Sequence, residues 1–175
     1  MFTKWWKNIV KTYLQGAFMA CVYGYDIPIK ATNGTTYYAT GGPTSGMQWG
    51  SPFTLNEQNA GVSVGTSDTP ATDEDYKLGA TITSGLTATC TCTKSMDGTK
   101  PVVRLNMVLT NTTGSDIVVK EVGIKISINV ASAVGGTSVS NRPILIDRTV
   151  LSTPLTVPAS GNAALYYTLK TDYTI

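Results

Sequence analysis

The chain has 175 residues, a formal net charge of +2 and 14% charged residues, whereas a soluble domain usually carries about 25%. It contains 28 Thr and 17 Gly but no His, which excludes Ser-His-Asp and Cys-His catalytic sites and disfavours a catalytic zinc site. The near-neutral balance also gives no broad basic surface for nucleic acid, so a structural or binding role is favoured.

The first 25 residues predict an amphipathic helix followed by an apolar stretch. Trp5, Trp6 and Tyr13 fall at helical spacing. A signal peptide and a membrane-surface helix are alternatives, but the apolar run is far shorter than the ~20 residues that span a bilayer. We interpret the segment as a docking helix whose aromatic face packs on its own domain or on a neighbouring subunit.

Residues 26–60 predict an extended arm. Asn33-Gly34 is a hairpin signal, but the later part is a long stretch rich in Gly, Pro, Ser and Gln that carries Trp49 and Phe53. Loops of this length are usually functional or mobile, and an arm that orders against a neighbour would explain the two aromatic residues. We therefore divide the chain into a helix and arm for docking and assembly, residues 1–60, and a β-sandwich domain, residues 61–175.

The β domain begins with a short strand and an acidic turn. Thr72, followed by three consecutive acidic residues, predicts a capped single helical turn. The acids are consecutive and do not follow the spacing of a calcium loop, so we expect no metal site here.

Residues 81–96 and 102–110 predict an antiparallel hairpin, with Asp97-Gly98 as its turn. In the first strand every second residue is Thr, and the other face carries Leu86, Ala88, Cys90 and Cys92. We interpret both cysteines as small core residues, because no further ligand has the spacing of a metal clip. The Thr face is either solvated or in contact with another subunit through an edge strand.

The remaining residues predict a long strand from Ile117 to Val130, a strand from Ile144 to Leu151 and a final strand. Gly123 indicates a bulge or a close backbone approach, and Tyr167 belongs to the inward face of the final strand. With seven to eight short strands and polar turns, the chain predicts an all-β fold: an antiparallel β-sandwich, jelly-roll or immunoglobulin-like, with an N-terminal helix and extended arm.

Glu121 lies in an otherwise apolar strand, and a buried carboxylate needs a partner. Arg148 is the best candidate among only three arginines. We predict that Glu121 pairs with Arg148 as a structural ion pair, or that it caps backbone N–H groups across the sheets. A catalytic acid–base pair of Glu121 with an Asp is disfavoured, because no second carboxylate is aligned with it.

Several phrases occur in a characteristic order: GVSVGTSDTPATDEDYKLGATITSGL, LTNTTGSDIVVKEVGI, LIDRTVLSTPLTVPASG and ALYYTLK. Over residues 61–170 this order resembles a family of small virion structural proteins of tailed bacteriophages and prophages. The resemblance implies a β-sandwich that is part of the particle, at the neck, tail, baseplate, fibre attachment or capsid. The Gly- and Pro-rich stretch of the arm is longer than the family pattern.

We therefore expect a non-enzymatic structural component of a tailed-phage virion. Its expected partners are other copies of itself and other virion proteins, without cofactor, metal, direct nucleic-acid contact or membrane span. The interface candidates are the aromatic residues of the N-terminal part, since aromatics dominate interface energetics: Trp5, Trp6, Tyr13, Trp49 and Phe53. The alternative is a module displayed on the virion that binds a host-surface glycan or receptor through Tyr37, Tyr38 and Trp49, exposed together.

Overall fold

The computed structural model describes residues 3–4, 28–39, 61–98, 100–133 and 139–170. These residues form eight β-strands in two antiparallel sheets. The strands are β1 (Pro28–Lys30), β2 (Thr36–Ala39), β3 (Gly61–Gly65), β4 (Leu86–Asp97), β5 (Lys100–Asn111), β6 (Ile117–Ala131), β7 (Val139–Val157) and β8 (Asn162–Lys170). The predicted all-β class is confirmed.

The first sheet is built on β6. Strand β7 pairs along one side of β6. On the other side β3 pairs with the middle of β6, from Glu121 to Lys125, and β2 pairs with its end, at Val130 and Ala131; β1 pairs with β2. The register between β6 and β7 shifts twice, between Val119 and Glu121 and between Ile124 and Lys125. Shifts of this kind bend a strand and re-aim its side chains, and both lie next to the polar cluster described below.

The second sheet has the order β4-β5-β8. Strands β4 and β5 form the predicted hairpin, with unbroken pairing from Leu86↔Asn111 to Asp97↔Lys100. Strand β8 pairs with the other side of β5. The hairpin prediction is confirmed because alternation of Thr with apolar residues and a central Asp-Gly turn define both the strands and their register.

Both sheets contribute to one buried hydrophobic cluster. Its largest contributions alternate along β6, β5, β7 and β8, as the pleat of a strand requires: Ile124, Ile126, Ile128, Val130, Leu105, Met107, Leu109, Ile144, Ile146, Leu165 and Tyr167. The inward position predicted for Tyr167 on the final strand is confirmed.

Strand β4 differs from its predicted burial. Leu86 is fully buried and Cys90 is half-buried, but Cys92 is exposed. The interpretation of both cysteines as core residues is therefore wrong for Cys92. The physical reason is that β4 lies at the sheet edge, and the buried cluster covers only its beginning.

The first sheet contains strands from both sides of the predicted boundary at residue 60. Strands β1 and β2 precede that boundary, yet Ile29 and Tyr37 belong to the buried cluster. Most of the predicted N-terminal helix lies outside the described residues, which include only Thr3 and Lys4 of that segment. Within the described part of the chain, no helix is long and apolar enough to cross a membrane.

Candidate functional site

The ion pair predicted between Glu121 and Arg148 is present. Arg148 Nε donates to Glu121 Oε2 at 2.7 Å, and the two residues are 2% and 0% exposed, respectively. Glu121 lies opposite Val150 on β7, and Gly123 lies opposite Arg148, so the pair is a diagonal contact between neighbouring strands. A buried pair of this kind is stable only when its remaining hydrogen-bonding capacity is also satisfied.

Backbone N–H groups satisfy the rest of the Glu121 carboxylate. The N–H of Ala80 donates to Oε1 at 2.8 Å, that of Ser67 donates to Oε1 at 3.4 Å, and that of Gly79 donates to Oε2 at 3.0 Å. All three come from residues 66–80, which cross the outer side of the first sheet. Both outcomes predicted for Glu121 therefore occur together, although the N–H groups come from this covering segment and not from the opposite sheet.

The other end of Arg148 binds the same covering segment. Its Nη1 donates to Asp75 Oδ2 at 2.8 Å, and its Nη2 donates to the Thr69 carbonyl at 2.9 Å. Burial alone would raise the pKa of Asp75, but hydrogen bonds from Thr72 and Arg148 outweigh burial and hold the pKa below its ordinary value. The planar guanidinium is suited to this role because it donates in several fixed directions at once.

Close backbone approach lets the covering segment reach the carboxylate. A Cβ on Gly65 would lie 2.4 Å from Glu121 Oε1 and 2.5 Å from the Ala80 carbonyl oxygen. A Cβ on Gly123 would lie 2.7 Å from Leu78 Cδ2, which confirms the close approach predicted at Gly123. Both glycines are therefore needed for space, since any larger residue would push the segment off the sheet.

The start of the chain docks beside this cluster. The N–H of Thr3 donates to the Ile146 carbonyl at 3.0 Å, and Thr3 Oγ1 donates to the Leu145 carbonyl at 2.7 Å. The N–H of Lys4 donates to the Asp73 carbonyl at 2.8 Å, and Lys4 Nζ pairs with Glu74. Thr3 is fully buried by these contacts. They tie β7 and the acidic turn to the N-terminal segment.

A second polar cluster joins the two sheets. The hydroxyl of Tyr167 on β8 donates to the buried carboxylate of Asp147 on β7, and it lies 2.8 Å from Thr149 Oγ1. Burial and the Asp147 charge both raise the pKa of Tyr167 far above its usual range, so the hydroxyl stays protonated and able to donate. The contact fixes β8 against β7 within the shared core.

These clusters are structural in their chemistry. Both oxygens of Glu121 accept several hydrogen bonds, and Arg148 is extended between two carboxylates, so neither group is poised to act on a ligand. Among the described residues, no group of three Cys, Asp or Glu side chains is placed to hold a metal ion. Cys90 and Cys92 are two residues apart on β4. Burial is the main cause that raises the pKa of the Cys90 thiol, and the nearby Cys92 raises it further.

The second sheet has a broad outer face, which we define as the side of β4, β5 and β8 that points away from the core. Its members form cross-strand rows such as Thr91–Asn106–Tyr166 and Thr89–Val108–Ala164. Val108 is 45% exposed and Tyr166 is 74% exposed. The exposed members are Thr87, Thr89, Thr91, Thr93, Ser95, Asp97, Arg104, Asn106, Val108, Asn162, Ala164, Tyr166 and Thr168. Among these exposed residues only Asp97 and Arg104 are charged, and their charges have opposite sign, so this is a large and nearly neutral surface.

Of the residues predicted to form the structural ion pair or the assembly interface, the structure describes only Glu121 and Arg148. Glu121 and Arg148 are brought together. The interface candidates Trp5, Trp6, Tyr13, Trp49 and Phe53 lie outside the described residues.

The glycan-binding alternative needed Tyr37 to be exposed. Tyr37 is only 6% exposed, Asn33 donates to its hydroxyl at 3.4 Å, and Arg142 lies over its ring. This expectation is therefore wrong for Tyr37, because β2 pairs with β6 and its aromatic residue enters the core. The alternative loses one of the aromatic residues on which it depended.

Sequence reasoning missed Asp75, Asp147 and Thr3. One signal was available for Asp147, since an inward-facing Tyr needs a partner for its hydroxyl, and Tyr167 was already assigned to the inward face. No comparable signal pointed to Asp75 or Thr3, since their contacts join segments that are distant in sequence.

No family model, curated protein or solved structure matches the chain.

Proposed function

We propose that the two sheets form a β-sandwich of the jelly-roll or immunoglobulin-like kind. The proposal is supported by the single hydrophobic cluster to which both sheets contribute. It is also supported by the contact between Tyr167 and Asp147 from one sheet to the other. In such a sandwich each sheet has one face in the core and one face available to solvent or to a partner.

We propose further that the protein is a non-enzymatic structural component of a tailed-phage virion. It assembles through contacts between subunits at the neck, tail or capsid surface. The order of sequence phrases over residues 61–170 supports the virion setting. The observation that carries the assembly role is the outer face of the second sheet. A neutral face can be buried against another copy with little loss of ion hydration.

The distribution of charge agrees with this role. Three of the four described buried charges have contacts inside the molecule: Glu121 and Arg148 hold the covering segment, and Asp147 binds Tyr167. A subunit that is repeated many times benefits from a rigid body, because the contacts then need not order it on assembly. Each copy also needs at least one surface that is complementary to another copy.

Charge placed on the outer face tests the assembly role. We expect Val108→Lys with Tyr166→Lys to weaken self-association of the full chain by at least tenfold in sedimentation velocity, since both side chains are exposed on that face. Thr153→Lys with Thr156→Lys adds the same charge at exposed positions of β7 and is the matched control. Equal behaviour of the two variants would contradict the role of the face.

Mass spectrometry of purified particles tests the virion setting. We expect peptides of this chain at many copies in gradient-purified particles of the phage or prophage that encodes it. Their absence from intact particles, with other particle proteins detected, would overturn the virion proposal.

A further inference from the structure

Strand β4 forms a long edge of the second sheet. It pairs with β5 along its whole length, and no other strand of the described residues pairs with it. The opposite edge, β8, lies against β7 through the hydroxyl of Tyr167. Among the described residues β8 likewise pairs on one side only, but it also contacts β7, so the two edges of this sheet are not equivalent.

The edge of β4 has few of the features that usually block edge pairing. Proteins protect edges with proline, bulges, short strands or charged residues. Strand β4 contains no proline, its register with β5 has no shift, and its only charged residues are Lys94 and Asp97. From Thr91 to Thr93 both faces of the strand are exposed, so the outer half of β4 extends beyond the core.

We infer that β4 pairs antiparallel with β4 of a second copy about a two-fold axis. The pairing joins two three-stranded sheets into one continuous six-stranded sheet and continues the outer face across both copies. The inference rests on the proposed function, because it identifies one self-contact of an assembling subunit. A two-fold edge contact uses the same strand in both copies, so a single surface is sufficient.

Two registers match the faces of the two strands and also pair nearly the whole of β4. Residues directly opposite each other in an antiparallel pair point to the same side, so the two-fold axis must pass through a residue. An axis at Thr91 pairs Leu86 with Met96 of the second copy, and an axis at Cys92 pairs Thr87 with Asp97 of the second copy. Both use nearly the whole strand, and neither places Lys94 opposite Lys94 of the second copy.

The native cysteines report each register. With the axis at Thr91, Cys90 lies opposite Cys92 of the second copy. With the axis at Cys92, the two Cys92 residues face each other. Opposite Cα atoms in such pairs are ~4.5–5.5 Å apart, within the range that a disulfide spans, whereas the two cysteines of one strand are too far apart for a relaxed bond.

The experiment uses the full chain with Cys21→Ser, so that only Cys90 and Cys92 remain. Diamide is the oxidant: the two thiols lose two protons and two electrons to it and form one disulfide. We expect a disulfide-linked dimer at least ten times more abundant than in the Thr91→Lys, Thr93→Lys variant, which brings like charges together in both registers. The Thr153→Lys, Thr156→Lys variant is the control and should crosslink like the parent chain.

Single variants assign the register. Loss of the dimer in both Cys90→Ser and Cys92→Ser places the axis at Thr91, and loss in Cys92→Ser alone places it at Cys92. Absence of a dimer in the parent, or crosslinking that the β4 lysines do not reduce, overturns the inference.

The result separates this inference from the proposed function. If the β4 variants have no effect but Val108→Lys with Tyr166→Lys disrupts association, the edge contact fails and the assembly role stands. If the β4 dimer forms but the chain is absent from particles, the edge contact stands and the virion role fails.

Discussion

The two sheets differ in whether their outer side, the side away from the shared core, is covered. The outer side of the first sheet is covered by residues 66–80, and the charges of Glu121 and Arg148 are buried beneath that segment. The outer side of the second sheet is uncovered among the described residues, and its exposed charged members are Asp97 and Arg104, which have opposite sign. The comparison shows that the buried charges hold residues 66–80 on the first sheet, whereas the outer face of the second sheet, which is available to partners, is nearly neutral.

Removing the central cation should have the largest effect. We expect Arg148→Met to lower the free energy of unfolding by about 3–5 kcal/mol, because Glu121 would remain buried without its counter-charge. Urea unfolding at neutral pH measures the change. Arg104→Met is the same replacement on the second sheet, and we expect it to stay within about 0.5 kcal/mol. Similar losses in both variants would remove the contrast between the sheets.

Crowding the covering segment tests how tightly it is held. Gly65→Ala should destabilise the protein by about 1–3 kcal/mol, since the added methyl group would lie 2.4 Å from Glu121 Oε1. Gly114→Ala is the control, because nothing lies within 4 Å of the position of its Cβ. Thermal unfolding of both variants decides the point. An unchanged melting temperature for Gly65→Ala would mean that the covering segment yields easily.

Removing the hydroxyl group of Tyr167 tests the contact between the two sheets. Tyr167→Phe removes the donor to Asp147 and should lower stability by about 1–2 kcal/mol. Tyr166→Phe is the neighbouring control, and its side chain is 74% exposed, so we expect almost no change. Guanidinium unfolding of the pair compares an inward and an outward tyrosine on one strand. Equal changes in the free energy of unfolding for the two variants would show that the Tyr167 hydroxyl does not stabilise the contact between the sheets.

Acidification should reveal the smallest effect. Folding lowers the pKa of Asp75, so its contribution is present above the unfolded pKa, about 4, and is lost as the pH falls through the lower folded value. We therefore expect stability to decline between about pH 4 and pH 2 less steeply in Asp75→Asn than in the parent.

Asp68→Asn serves as the comparison for acidification. Its carboxylate pairs with Lys120 and its side chain is 77% exposed, so solvent and salt screen it. Stability curves measured against pH should differ from the parent more for Asp75→Asn than for Asp68→Asn. A larger difference for Asp68→Asn than for Asp75→Asn would mean that the carboxylate responsible for the loss of stability in acid is not the one that binds Arg148.

Local patterns predicted much of the second sheet. The alternation in β4 and β5, with Asp97-Gly98 between them, is sufficient to define a hairpin and its register, because neighbouring strands pair through a short turn. The same reasoning placed Tyr167 on the inward face. It did not place Cys92, since alternation gives the direction of a side chain but not whether the other sheet extends far enough to cover it.

The first sheet was less predictable because its contacts are distant in sequence. The sequence predicts an acidic turn within residues 66–80, but nothing in their local pattern shows that they cover Glu121 and bind Arg148. The hairpin signal at Asn33-Gly34 is borne out by the pairing of β1 with β2, but the sequence assigns this hairpin to an arm, whereas β2 pairs with β6. In both cases the contact joins segments that are far apart in sequence. Such segments meet only when the chain folds and closes the loop between them, so their local patterns do not reveal the contact.

By itself, the sequence determined the all-β class, the β4–β5 hairpin, the inward position of Tyr167 and the need of Glu121 for a cationic partner. These features follow from local periodicity and from the cost of burying a lone charge. Only the tertiary structure decided that residues 66–80 complete the coordination of that charge, that Tyr167 contacts Asp147, and that β4 is an edge strand among the described residues. Those outcomes depend on which distant segments share a surface, and burial is a property of the assembled sheets and not of any one strand.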